Sequence, residues 1–221
     1  MGKSVKRDLR TQRKVETEAR LVEAASNLFV SQGYAATTLA DVADHAGLAS
    51  RTVYLHFPTK ADLLRRCVGV AIAGDPEPVA IADRGWMTDA MTAPTLRERI
   101  RLMATITATL MGRAGPLLDV AQQAAATEPT IAAAAQAGRD ETMRTLAEFW
   151  RRADQDGLLP ARCDLAWLTD TATLLAQAET YLLVTKTTRW DITAYETWLR
   201  TTWTRLVASS AMATAPARKH R

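Results

Sequence analysis

Apolar residues recur at spacings of three and four along almost the whole chain. Extended alternation of β-branched and polar residues is nearly absent, so the pattern predicts an all-α protein. From about Thr17 to Ser31, Leu21, Ala25 and Leu28, with Val22 and Phe29 beside them, form one helical stripe. Gly33 follows where a left-handed residue would close the helix. Thr38-Leu39-Ala40-Asp41 is a capping-box pattern: a Thr38 cap, Asp41 reaching back, and Leu39, Val42, Ala43 and Ala46 on the apolar face up to Gly47. A short helix is expected from Ser50 to His56, ended by Pro58, which lacks an amide proton and constrains Phe57. Thr59-Lys60-Ala61-Asp62 opens a fourth helix, to about Ile72.

Gly74-Asp75-Pro76-Glu77-Pro78 interrupts the pattern and marks the expected domain boundary. Beyond it, helices are expected from Pro94-Thr95 to about Met111 and from Gly115-Pro116 to about Ala125. Three more are expected from Glu128-Pro129 to about Gln155, from Asp164 to about Thr187, and from about Thr193 to Val207. The expected organisation is a basic flexible arm (1–16), a three-helix helix-turn-helix domain carried on to residue 73 (17–73), a helical C-terminal domain (74–209) and a frayed tail (210–221).

Charge sharpens this picture. The chain has 221 residues and a formal net charge of +4. Residues 1–66 hold 11 Lys/Arg against 7 Asp/Glu, whereas the remainder holds 17 of each. A basic N-terminal third on a neutral body favours a polyanionic partner, the competing reading being a merely solvated basic tail. No stretch approaches the roughly 18 to 20 apolar residues that span a bilayer, and the charged start is unlike a signal peptide, so a cytoplasmic location without membrane attachment is expected. Cys67 and Cys163 have no metal-ligand spacing around them and read as reduced, packed thiols. No metal or cofactor is expected.

Two short helices joined by a tight glycine turn fit a helix-turn-helix. The helix from Thr38 would brace on the phosphate backbone while the helix from Ser50 enters the major groove. Ser50, Arg51 and Thr52 supply donors at its start, and Arg51 can offer two parallel donors to a guanine edge. Tyr54, His56 and Lys60 can each donate to phosphate, and the amides opening the helix at Lys60 add a weak anion site.

These residues also carry a specific resemblance. Gly33-Tyr34, then Thr38-Leu39-Ala40-Asp41-Val42-Ala43-Asp44-His45-Ala46-Gly47-Leu48, then Thr52-Val53-Tyr54-Leu55-His56-Phe57-Pro58-Thr59-Lys60-Ala61-Asp62-Leu63 is similar to the tetracycline-repressor (TetR) family, without a gap over about 45 residues. One departure is Ala49, where the family often has a capping serine; Ser50 could take over that cap and shift the helix start. The resemblance implies phosphate contacts from Thr38, Tyr54, His56 and Lys60, and base-facing roles for Ser50, Arg51, Thr52 and Leu55. Core packing is the alternative role for Tyr54 and Phe57, and a capped or core position the alternative for His56. His45 is expected to be exposed.

The resemblance continues, more weakly, through Glu179-Thr180-Tyr181-Leu182-Leu183, Arg189-Trp190-Asp191 and Tyr195-Glu196-Thr197-Trp198-Leu199. It implies that the last two helices pair with those of a second subunit. Leu168, Ala172, Leu175, Leu182, Tyr195, Trp198, Leu199, Thr202 and Leu206 are the interface candidates, an intrachain core being the alternative. A homodimer also suits so short a reading helix, which alone touches few bases. The family further implies a small-molecule pocket in the C-terminal helices. Its candidates are Met103, Thr107, Met111, Met143, Leu146, Phe149, Trp150, Leu174, Gln177 and Tyr181, suited to a largely apolar effector, with ordinary core packing as the competing role. Glu148 or Glu179, if turned inward, would suit a cationic effector.

The expected function is therefore a sequence-specific transcriptional regulator, a repressor released from a palindromic double-stranded operator by a small hydrophobic ligand; activation stays open. An enzyme on a helical scaffold lacks its parts here. Only three histidines occur, two in the N-terminal helices and His220 in the tail, with no phosphate loop, metal motif or nucleophile elbow. A helical protein adaptor would need neither the basic bias nor the Tyr54, His56 and Lys60 donors.

Overall fold

The computed structural model describes residues 2–77 and 79–211, so most of the expected tail, from 212 on, lies outside the described residues. Among the described residues the regular structure is helical throughout, in ten α-helices and one short 3-10 turn, Ile81–Asp83. No helix among them is long and apolar enough to cross a membrane. The chain forms two compact units, each with its own core.

The first unit runs to Pro76 and takes back Pro116–Ala135. It contains α1 (Gly2–Ala36), α2 (Leu39–His45), α3 (Ser50–His56) and α4 (Lys60–Ala73). Helix α1 starts well before the expected Thr17, inside the segment read from the sequence as a basic arm (1–16). Lys, Arg, Glu and Gln are good helix formers there, but they supply no apolar stripe for periodicity to register. Near its other end Gly33 leaves helical geometry, with φ 81° and ψ 170°, so the chain bends where the left-handed residue was expected. Leu21, Ala25, Phe29, Val42, Val53, Leu63 and Leu64 are buried together with Leu117, Val120 and Ile131. The segment 116–135 therefore belongs with the N-terminal helices rather than with a single domain over 74–209. Cys67 lies in this core, where burial pushes its thiol up to about 11.

The second unit comprises Glu77–Gly115 and the described residues from Gln136 on. It contains α5 (Gly85–Thr92), most of α6 (Leu96–Ala124) and α7 (Pro129–Gln155), then α8 (Leu165–Leu175), α9 (Ala178–Thr188) and α10 (Ile192–Ser210). Helix α5 was not anticipated. Two other expectations need correction. Helix α6 is continuous through Pro116, although proline cannot donate to the carbonyl of Gly112. Conversely, the single helix expected from Asp164 to Thr187 is two. Gln177 is extended at φ −70° and ψ 149°, and the Thr180 hydroxyl donates to the Leu174 carbonyl at 2.6 Å, which replaces a lost helical bond.

The core of this unit is aromatic. Trp150 meets Phe149 edge-on at 4.8 Å between ring centroids and Trp203 at 6.5 Å. Trp203 Nε1 donates to the Ala172 carbonyl at 3.2 Å, and the Tyr195 hydroxyl to the Leu175 carbonyl at 2.9 Å. Gly112 and Gly115 on α6 let α9 and α10 approach closely. A Cβ on either would come within 2.8 Å of the Ile192 or Tyr181 side chain, respectively.

Candidate nucleic-acid interface

Helix α2 is fixed at its start by both arms of the expected capping box. The Asp41 amide donates to Thr38 Oγ1 at 3.1 Å, and the Thr38 amide to Asp41 Oδ2 at 2.9 Å. The Thr38 hydroxyl also donates to Asp41 Oδ2 at 2.7 Å, and these Thr38 bonds hold the exposed Asp41 carboxyl below the usual range. The cap therefore supports the fold above the ordinary carboxylate range and is lost as pH falls through the depressed Asp41 pKa. At the other end Gly47 takes φ 63°, and Arg20 Nη2 donates to the Ala46 carbonyl at 2.6 Å. A cation on a helix C-terminus is the favourable arrangement for the backbone dipole.

Helix α3 begins at Ser50, with Ala49 extended at the cap position and no side-chain cap. Ser50 thus does not take over the capping role, and its hydroxyl stays with the first turn. Val53 is fully buried and Phe57 almost so. The opposite side is turned outward: Ser50, Arg51, Tyr54 and Leu55 are exposed, while Thr52 and His56 are half-buried. Tyr54 does not pack in the bundle core; Phe57 does. The His56 ring lies 6.3 Å from that of Phe57. Arg51 has no hydrogen-bond or ion-pair partner among the described residues, so its guanidinium is available to a ligand. His45 is exposed, as expected.

Lys60 is placed differently from a freely solvated phosphate contact. Its Nζ donates to the Tyr34 carbonyl at 2.7 Å and the Ala35 carbonyl at 3.5 Å, and sits 4.2 Å from the Tyr34 ring centroid. The ammonium therefore closes the end of α1, leaving at most part of its donor capacity for DNA. Tyr34 also stacks on Phe29 at 5.9 Å and hydrogen-bonds to Glu128, and burial together with that carboxylate raises its pKa. Tyr34 and Arg20 are the organising residues that pattern reasoning passed over. Replacing Lys60 with alanine is expected to destabilise the DNA-free protein by about 1 kcal/mol, from a charged hydrogen bond and a cation–π contact at a half-buried site. Urea unfolding checks this, and an unchanged midpoint would leave Lys60 with an outward role alone.

In the second unit the pocket candidates divide. Met103, Thr107, Leu146, Phe149 and Trp150 are buried, and Met111, Met143, Gln177 and Tyr181 are half-buried. Leu174 is 64% exposed, which places it on the outside of α8 and not in a pocket. The Thr173 hydroxyl reaches Met143 Sδ at 3.6 Å. Trp150 Nε1 is buried without a partner among the described residues. Glu179 pairs with Arg139 at 2.6 Å, and Glu148 with Arg151 and Arg152 at 2.7 and 2.5 Å, so neither carboxylate is a free counter-ion. Of the interface candidates, Leu168, Ala172, Tyr195 and Leu199 are fully buried and Leu182 nearly so. Leu168, Ala172, Tyr195 and Leu199 pack in the core of the second unit, the alternative role named for them from the sequence. Leu175, Trp198, Thr202 and Leu206 keep part of their surface, and Leu183 is 67% exposed.

Residues 21–67 match the family model described as bacterial regulatory proteins, tetR family. The chain is 46% identical over 50 residues to the HTH-type transcriptional regulator TtgR of Pseudomonas putida. Residues 21–67 thus form a TetR-type head. The TtgR match covers 23% of this chain and 24% of TtgR, so the chain spans about a quarter of that relative's length. The fold likeness extends further. A crystal structure of a putative TetR-family transcriptional regulator from Mesorhizobium loti superposes with a TM-score of 0.69 at 18% identity, covering 89% of this chain and 97% of that one. A structure described as a SmeT–triclosan complex gives 0.67 at 17% identity, covering 93% and 100%.

Proposed function

We propose that the protein is a sequence-specific DNA-binding transcriptional regulator that acts as a dimer, a repressor released from a partly palindromic operator by a small, largely apolar ligand. The observation that carries this reading is the outward face of α3. A helix of seven residues fixed by Val53 presents Arg51, without a partner among the described residues, with Ser50, Tyr54 and Leu55 exposed beside it. Two copies would set their α3 helices in successive major grooves roughly 34 Å apart.

Support for a second copy comes from Leu174 and Leu183, apolar and largely exposed, with Leu206 and Trp198 partly so. Large apolar side chains left outside in numbers mark association surfaces. Support for an effector comes from the aromatic and methionine core and from Trp150 Nε1, an N–H that an acceptor on the ligand would satisfy. The similarly folded SmeT is described in complex with triclosan, a small and largely apolar molecule. Release requires the ligand to bind two arrangements of the reading heads unequally, and a coupling of about 1 to 3 kcal/mol is typical.

A gel-shift titration against duplex DNA at two salt concentrations tests the reading, since a DNA binder loses affinity steeply as salt rises. Absence of binding at low salt would reject it. Within it, Arg51→Ala is expected to relax base preference at one operator position and cost about 1 to 3 kcal/mol. Selection from random duplexes checks this, and an unaltered preference would remove Arg51 from base reading.

A further inference from the structure

Leu55 is 74% exposed, more than any other large apolar side chain among the described residues. A single leucine on a surface ordinarily calls for no explanation. This one lies on a helix of only seven residues, four positions after Arg51, so the two share one face, about 6 Å apart along the axis. Val53, between them in sequence, is fully buried and fixes which way that face points. The row that carries the Arg51 guanidinium therefore ends in an isobutyl group held away from its own core.

On the proposed reading, that face meets base edges. The apolar feature which unmodified DNA offers in the major groove is the 5-methyl group of thymine. We propose that Leu55 is a specificity-determining residue that reads a thymine methyl one to two base pairs from the guanine taken by Arg51. The offset follows from a separation of about 6 Å against roughly 3.4 Å per base pair. Arg51 reads by hydrogen bonds and Leu55 by burial of a methyl. The half-site is thereby specified by two chemically independent contacts one helical turn apart. Packing of Leu55 on a deoxyribose is the alternative contact, and it would be indifferent to the base.

The test rests on the DNA-binding reading and separates the two. Full-length protein is used to select an operator from random duplexes, and each thymine of the half-site is then replaced singly by deoxyuridine, which deletes only the methyl. Wild type is expected to lose about threefold to fivefold at one such thymine, the worth of one buried methyl group. Leu55→Ala is expected to bind thymine and uracil equally there while keeping its preference for the guanine. Leu55→Met, which retains an apolar tip, should keep most of the discrimination. Since the side chain is exposed, the thermal melting of both variants should match wild type. A wild type indifferent to every thymine-to-uracil change overturns the proposal for Leu55 and leaves DNA binding standing, as does Leu55→Ala with full discrimination. Failure to enrich any duplex overturns both.

Discussion

Replacement of Trp203 by alanine is expected to lower the stability of the second unit by about 3 to 5 kcal/mol, the usual cost of deleting a large buried aromatic. Trp203 is fully buried, stands edge-on to Trp150 and donates its Nε1–H to the Ala172 carbonyl. Its loss removes three contributions at once: apolar area, an aromatic contact and the partner of a buried carbonyl. Phenylalanine at 203 should recover the packing part and forfeit the hydrogen bond, costing distinctly less. Guanidinium unfolding followed by far-UV circular dichroism measures both. Equal losses for the two variants would show that the packing contribution is overstated.

A comparable loss, about 3 kcal/mol, is expected from Asp156→Ala. Arg99 is only 4% exposed; its Nε donates to the Ala93 carbonyl at 2.8 Å and its Nη2 to Asp156 at 2.5 Å. Its Nη1 is buried without a partner among the described residues. Removing the carboxylate leaves a buried cation uncompensated, an arrangement that typically costs 3 to 5 kcal/mol. The lower end applies here because Asp156 is half exposed and water can take its place. The double replacement with Arg99→Met should be more stable than Asp156→Ala alone, since no charge then remains to be solvated. A double-mutant cycle in denaturant reads this directly, and simple additivity of the two losses would mean that the pair is not coupled.

The N-terminal head was readable because its boundaries rest on local chemistry. Thr38 with Asp41, Thr59 with Asp62, Gly47 and Pro58 all act within four residues of themselves, and the helices they bound lie where those residues put them. The start of α1 was not readable, because helix-forming residues without an apolar stripe carry no periodic signal. The break at Ala176 and Gln177 escaped for the opposite reason. Neither residue is a helix breaker, and the turn is held by Thr180 and by packing that no short window contains. Helix α6 runs on through Pro116 because the local penalty of a proline is set against burial of Leu117 and Val120 in the first unit, which no short window contains.

For the candidate site, residue type announced the donors but not their allegiance. Arg51 and Lys60 look alike as cations in the sequence, yet one has no partner among the described residues and the other is bound to the carbonyl end of α1. Likewise, helical spacing places Leu168 and Ala172 on one side of α8, and both are buried. It could not say whether that side faces the chain's own core or another copy. Spacing defines a face, and only the neighbours decide what the face meets.

The two thiols carry a practical consequence. Cys67 lies in the core of the first unit and Cys163 packs at the edge of the core of the second. Each unit thus contains its own native chemical clock, read without engineering. Pulsed alkylation followed by mass mapping would time the opening of the first unit through Cys67, while Cys163 reports separately on the second.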